Sequence, residues 1–134
     1  HSKLSNIKWI TMFYPENPNE EANNIKIAFQ NIKQDKNPKM VITDYSFISV
    51  FLNEYDHSPT RFWYDFHGYP SSKNEYFGYW KEFVLKKIRD NKIKNIYVLL
   101  PLHGETKPLE NILSNCFRKE EISNVFYKLI LKDC

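Results

Sequence analysis

The chain has 134 residues, which is enough for one domain with a single core and too few for two. Hydrophobic residues make up 42% and aromatic residues 16% of the chain, a composition that excludes an intrinsically disordered protein. The 19 basic and 16 acidic residues leave a formal net charge of only +3. A nucleic-acid-binding protein needs a broader basic surface than this charge provides, so the composition disfavours that class.

The first half of the chain predicts strand, helix, strand and helix in that order. Residues 8–13 ("KWITMF") have strand character, and a helix can follow with Asn17 as its cap and Pro18 in its first turn. Residues 40–43 predict a short buried strand. Residues 46–55 then predict a second helix, for which Asp44 or Ser46 is the natural cap.

The second half continues the alternation. Residues 61–64 predict a third strand, and a loop at 69–72 precedes the clearest helix. The apolar stripe of that helix consists of Phe77, Trp80, Val84 and Ile88. Further predicted elements are a central strand at 95–100, a short helix at 109–117 and a last strand at 124–131. We therefore predict a single α/β domain over residues 1–134, a Rossmann-like three-layer fold with a mainly parallel sheet of about five strands.

Polar residues at the predicted strand ends form a candidate binding site, because ligands of open parallel sheets bind outside the carboxyl ends of the strands. These residues are Tyr14, Asp44, Ser46, Asp65, His67, His103 and Glu105. Carboxylates near imidazoles suit acid–base catalysis or a metal site. No metal or nucleophile motif surrounds them, and only three glycines are present, so we predict no catalytic residue, no metal and no cofactor. The alternative is that Asp44 and Ser46 only cap the helix that follows.

Basic residues cluster along one predicted helix and its exit. They are Lys81, Lys86, Lys87, Arg89, Lys92 and Lys94. We interpret this cluster as a solvated helix face. An anionic surface nearby, such as lipid head groups, is the alternative.

The two cysteines, Cys116 and Cys134, are too far apart in sequence for a C-x-x-C redox or zinc motif. We predict that they form a disulfide that ties down the C-terminus. If reduced, Cys116 would be a partly buried small residue and Cys134 a loose terminal thiol.

Blocks along nearly the whole chain carry a family resemblance. They are "KWITMFYPEN", "KMVITDYSFIS", "RFWYDFHGYPSSKNEYFGYWKEF", "IYVLLPLHGE", "LENILSNCF" and "YKLILKDC". In order and spacing they resemble the soluble C-terminal domain of bacterial multi-spanning membrane glycosyltransferases, related to dolichyl-phosphate-mannose–protein mannosyltransferases. The chain also opens with His1-Ser2 and not with Met, which we interpret as a cloning remnant, so we expect a domain excised from a larger protein.

That resemblance implies a membrane-attached domain on the extracytoplasmic (periplasmic) side. The membrane-embedded remainder of the same polypeptide would be its partner and would transfer sugar from a lipid-linked donor. The domain itself would have an accessory or acceptor-recognition role toward a glycan or polypeptide acceptor, without catalysing transfer alone. An oxidising compartment also agrees with the predicted disulfide.

Two further interpretations stay open. "VITDYSFISVFL" followed by "PTRFWYD" is similar to the donor-binding half of teichoic-acid-type glycerophosphotransferases. That similarity implies a nucleotide-linked donor contacted by Asp44 and Ser46. The third interpretation is a non-enzymatic interaction module that binds another protein through exposed aromatic residues such as Tyr76 and Tyr79.

Overall fold

The computed structural model describes residues 17–61, 63, 68–100, 107–114 and 116–132. Its elements in chain order are α1 (Pro18–Gln34), β1 (Lys39–Thr43), α2 (Ile48–Leu52), α3 (Phe77–Asp90), β2 (Asn95–Leu99), α4 (Lys107–Ile112), β3 (Phe117–Ser123) and β4 (Phe126–Leu131). The strands form one sheet in the order β1-β2-β4-β3. β1 and β2 are parallel, whereas β4 runs antiparallel to both β2 and β3.

The predicted fold class is wrong. The described residues form a small mixed sheet of four strands, mostly in antiparallel pairs, and not a Rossmann-like three-layer domain with a mainly parallel sheet of about five strands. The reason is the hairpin formed by β3 and β4, since two residues between strands can only join antiparallel neighbours. β3 was missed because its sequence, "FRKEEIS", is charged and mostly exposed, as an edge strand tolerates.

The other predicted elements have mixed outcomes. The helices α1 and α3 and the strands β1, β2 and β4 are confirmed. The predicted helix at 109–117 is wrong at its end, because α4 stops at Ile112 and β3 begins at Phe117. Arg61 and Trp63 do not lie in a strand, and the rest of the predicted strand at 61–64 lies outside the described residues, as do residues 8–13.

The start of α1 follows the predicted chemistry. The Asn17 side chain accepts a hydrogen bond from the backbone N–H of Glu20 at 3.2 Å, and Pro18 occupies the first turn, where its missing N–H costs nothing. Ile25, Ala28 and Ile32 recur at helical spacing and are fully buried. These three residues form the face that α1 packs onto the sheet.

Side chains of the sheet alternate between two hydrophobic clusters, as the two-residue period of a strand requires. In β2, Ile96 and Val98 belong to one cluster, which also contains Val84 of α3. Tyr97 and Leu99 belong to the other, which contains the buried residues of α1. Helices thus cover both faces of the central strand, which is why all five of its residues are buried.

Asp35 connects the end of α1 to the start of β2. Its Oδ2 accepts hydrogen bonds from Asn95 Nδ2 at 2.5 Å and from Tyr97 Oη at 2.8 Å, and its Oδ1 accepts one from the backbone N–H of Asn37 at 2.9 Å. Burial alone would raise the pKa of Asp35, but these hydrogen bonds outweigh it and lower the pKa to about 2. Burial and the neighbouring carboxylate raise the pKa of Tyr97 far above its usual range.

Across the ranges that the structure describes, the helices are too short or too polar to traverse a bilayer.

Candidate functional site

The turn after β1 contains two of the predicted site residues, and Asp44 is the first of them. Its Oδ1 accepts a hydrogen bond from the backbone N–H of Trp63 at 3.0 Å. It does not cap α2, whose N-cap is Phe47 without any side-chain hydrogen bond. The predicted capping role of Asp44 and Ser46 is therefore wrong. Asp44 instead holds a segment 19 residues further along the chain against the end of β1.

Tyr45 makes a second long-range contact from the same turn. Its backbone N–H donates to Thr43 Oγ1 at 3.1 Å, and its Oη donates to Glu21 Oε1 at 2.6 Å. Glu21 lies on α1 and is only 1% exposed. The turn is thus bonded to α1 through Tyr45 and to Trp63 through Asp44. Both side chains therefore have a structural function.

Ser46 lies on the surface of the turn, beside a narrow cleft. The cleft runs between β1, α2 and residues 54–61, and its free volume is about 30 Å³. That is about the share of one water molecule in the liquid and far below the roughly 300 Å³ of a small-ligand pocket. A wider depression of about 350 Å³ lies near Asp35 and Lys39, at the opposite end of β1. Among the described residues, the cleft beside Ser46 is therefore too small for a nucleotide.

His57 also lines the narrow cleft. Its ring packs on Tyr55 at 4.9 Å between centroids, and its buried Nδ1 has no hydrogen-bond partner in the part of the chain that the structure describes. Burial is the main cause that lowers the pKa of His57 below its ordinary value, and the positive charge of Lys87 lowers it further. The negative charge of Asp56 raises the pKa but does not outweigh these two effects. The surroundings of His57 therefore favour the neutral form of the ring.

The remaining residues of the predicted site fall in parts of the chain that the structure does not describe. Tyr14, Asp65, His67, His103 and Glu105 lie outside the described residues. In the described part of the chain, no three potential metal-binding side chains come together.

The disulfide is not among the features that the structure describes. Cys116 is not a free thiol. Cys134 lies outside the described residues, so these contain no complete disulfide bridge. The predicted Cys116–Cys134 pairing lies partly outside the described residues, so it stays a prediction and is not used below.

A second cleft, here called the cationic cleft, lies where the end of α3 meets the end of β4. Its lining consists of Ile88, Arg89, Lys92, Ile93, Lys94, Leu131 and Lys132. Its free volume is about 570 Å³, and no acidic side chain is among the described residues that line it. The backbone N–H of Leu131 donates to the carbonyl of Lys94 at 2.9 Å, which brings Lys132 beside Lys94. The sequence signals three of these cations as a basic run but does not signal Lys132.

The outer face of α3 has a row of exposed aromatic side chains. Tyr76, Tyr79 and Phe83 are 61%, 78% and 47% exposed. Their spacing of three and four residues places them on one side of the helix. Lys87 extends the row by one turn, with its Nζ 5.8 Å from the centre of the Phe83 ring. The predicted exposure of Tyr76 and Tyr79 is thereby confirmed, and the row offers an amphipathic surface to a partner.

The chain matches no protein-family model, no curated protein and no solved structure.

Proposed function

We propose that the chain is an accessory, non-catalytic domain of a membrane glycosyltransferase that transfers sugar from a lipid-linked donor. The observation that supports this most is the hydrogen bond from Trp63 to Asp44, which commits the acidic residue of the turn to structure. The cleft that runs beside this turn among the described residues has a free volume of about 30 Å³, far below that of a small-ligand pocket.

The aromatic row on α3 supports an acceptor-recognition role within this proposal. Tyrosine rings pack on the apolar faces of sugars and on extended peptides, while their hydroxyl groups stay in water. Two tyrosines and one phenylalanine exposed in a row are more than a solvated helix face needs, because exposed apolar patches usually mark contacts with partners. The same row also suits the alternative of a protein-interaction module, and both alternatives place the contact on α3.

Asp44 separates this proposal from the donor-binding alternative. Replacing Asp44 by alanine removes the acceptor of the Trp63 N–H, and we expect it to lower the free energy of unfolding by about 2 kcal/mol. Asp44→Asn keeps an oxygen for that bond and should cost clearly less. Urea unfolding of the three proteins measures both effects. Asp44→Ala with unchanged stability would contradict the structural function of this residue.

The decisive comparison adds a nucleotide to the same experiment. We expect CDP-glycerol and UDP-sugars to leave the unfolding midpoint of the unsubstituted protein and of Asp44→Asn unchanged. A midpoint that rises with nucleotide concentration, and rises less in Asp44→Asn, would instead support the teichoic-acid-type donor-binding domain. The proposal also requires that the reading frame around this chain encode several hydrophobic segments long enough to span a membrane.

A further inference from the structure

The cationic cleft concentrates positive charge that the described part of the fold leaves uncompensated. Arg89, Lys92, Lys94 and Lys132 form no ion pair with the described residues, whereas Lys39 and Lys119 elsewhere pair with glutamates. Like charges that line one cleft repel one another and raise the local concentration of anions. A bound anion would relieve this repulsion, so the cleft has the electrostatics of an anion site.

The helix end alone does not account for this arrangement. The C-terminus of α3 attracts cations, which explains Arg89 in its last turn and Lys92 just beyond it. Lys94 and Lys132 are not part of a helix. They flank the paired strands β2 and β4 and are brought together by the backbone bond between Leu131 and Lys94. The four cations therefore come together through the pairing of β2 with β4 as well as through the end of α3.

Lys92 adds a second observation. Its φ is 51°, in the left-handed region, at a position after a helix where glycine is the usual residue. A lysine there is less favourable than glycine because its Cβ crowds the backbone. The positive charge of Lys92 thus lies at a position where the backbone conformation favours glycine, so stability of the backbone does not explain the lysine.

The floor of the cleft determines which anion fits. Ile93 is buried, and Ile88 and Leu131 are partly buried, so an apolar surface lies between the cations. The free volume of about 570 Å³ exceeds what inorganic phosphate requires and matches a small organic ligand. We propose that the cationic cleft binds a phosphate ester that carries an apolar chain. That this phosphate ester is a membrane lipid rests on the proposed function, in which the domain lies at a membrane.

The test measures binding of the whole chain to three probes. They are inorganic phosphate, soluble dihexanoyl phosphatidic acid, and phosphatidylcholine vesicles with or without phosphatidic acid. We expect the short-chain phosphatidic acid to bind more tightly than inorganic phosphate, and only the vesicles with phosphatidic acid to retain the protein. Lys94→Gln with Lys132→Gln should weaken binding about 25-fold, since each cation near an anionic lipid surface contributes about fivefold.

The matched control removes the same charge elsewhere. Lys26 and Lys33 are exposed on α1, and Lys26→Gln with Lys33→Gln should leave phosphatidic acid binding nearly unchanged. An equal loss in this control would overturn the proposal, because net charge and not the cleft would then determine binding. Equal affinity for inorganic phosphate would overturn the lipid assignment in favour of free phosphate. Binding of none of the probes would overturn the site itself.

Lys92→Gly distinguishes a ligand-binding lysine from a structural one. We expect the melting temperature to rise, because glycine adopts the left-handed conformation without crowding. Phosphatidic acid binding should fall about fivefold because one cation is lost. A fall in melting temperature with unchanged binding would contradict the function of Lys92 in the cleft. None of these assays contains a nucleotide or a sugar acceptor, so their failure is distinct from failure of the proposed function.

Discussion

Replacing Asp35 by alanine is expected to lower the free energy of unfolding by about 3 kcal/mol. The side chain of Asp35 is only 6% exposed and accepts hydrogen bonds from Asn95 and Tyr97 through one oxygen. Without the carboxylate, both donors stay inside the protein without that acceptor, and each buried donor left unpaired costs about 1–3 kcal/mol. The loss exceeds that of an ordinary surface carboxylate several-fold, because the bonds join α1 to the central strand.

Urea unfolding monitored by circular dichroism measures this loss. Asp90→Ala is the matched control, since Asp90 is an exposed carboxylate at the end of α3 and should change stability by less than about 0.5 kcal/mol. A double-mutant cycle isolates the contact itself. Tyr97→Phe should cost clearly less in the Asp35→Ala background than in the unsubstituted protein. Strictly additive losses would show that the hydrogen bond between the two side chains contributes nothing.

The low pKa of Asp35 also predicts how the protein responds to acid. In the folded state the pKa is about 2, against an ordinary value of 3.8, so the unfolded chain takes up its proton first as the pH falls. The contribution of Asp35 is therefore complete above about pH 5 and is lost as the pH falls through 3.8 toward 2. It amounts to about 2 kcal/mol. Unfolding curves at pH 5, 3 and 2 should show this loss in the unsubstituted protein but not in Asp35→Ala.

The second large effect is expected at Trp63. Its ring is completely buried, 5.2 Å from the ring of Tyr69 and 6.3 Å from that of Trp80 between centroids. Trp63→Ala should lower the free energy of unfolding by about 4 kcal/mol, through lost transfer energy and a cavity that the neighbouring rings cannot fill. This single side chain fills the core between α3 and the sheet, so the loss should reach the whole domain.

Trp63→Phe gives a graded comparison. The indole Nε1 of Trp63 is buried and has no hydrogen-bond partner among the described residues, so phenylalanine removes this donor together with part of the ring. We expect Trp63→Phe to cost less than half of the loss in Trp63→Ala. Tyr79→Ala removes an exposed aromatic ring of α3 and should leave stability within about 0.5 kcal/mol of the unsubstituted protein. Similar losses at Trp63 and Tyr79 would contradict the assigned packing.

Prediction of the site from the sequence failed at Asp44 for a physical reason. Asp44 lies just before a short helix, whose first backbone N–H groups have no partner inside the helix. The sequence therefore predicts that Asp44 caps this helix. Its hydrogen-bond partner is Trp63, 19 residues away. No local pattern indicates which distant N–H a carboxylate will accept from. The same holds for Tyr45 and Glu21, which meet across 24 residues.

The cationic cleft was only partly visible in the sequence. Arg89, Lys92 and Lys94 are close neighbours in the chain, and their basic run was interpreted as a solvated helix face. Lys132 joins them only because β4 pairs with β2, which brings Leu131 to Lys94. The exposed row on α3 is different, because the residues that line one side of a helix follow directly from its period.

The sequence by itself determined the local elements of this protein: the cap of α1, the amphipathic α3, and the strands β1, β2 and β4. These depend on hydrogen bonds and side-chain periods among residues close in the chain. Only the tertiary structure decided the mixed strand directions, the partner of Asp44, the bonds of Asp35 to Asn95 and Tyr97, and the convergence of four cations. Those features depend on which distant segments pack together, because burial and strand pairing are set by the whole chain.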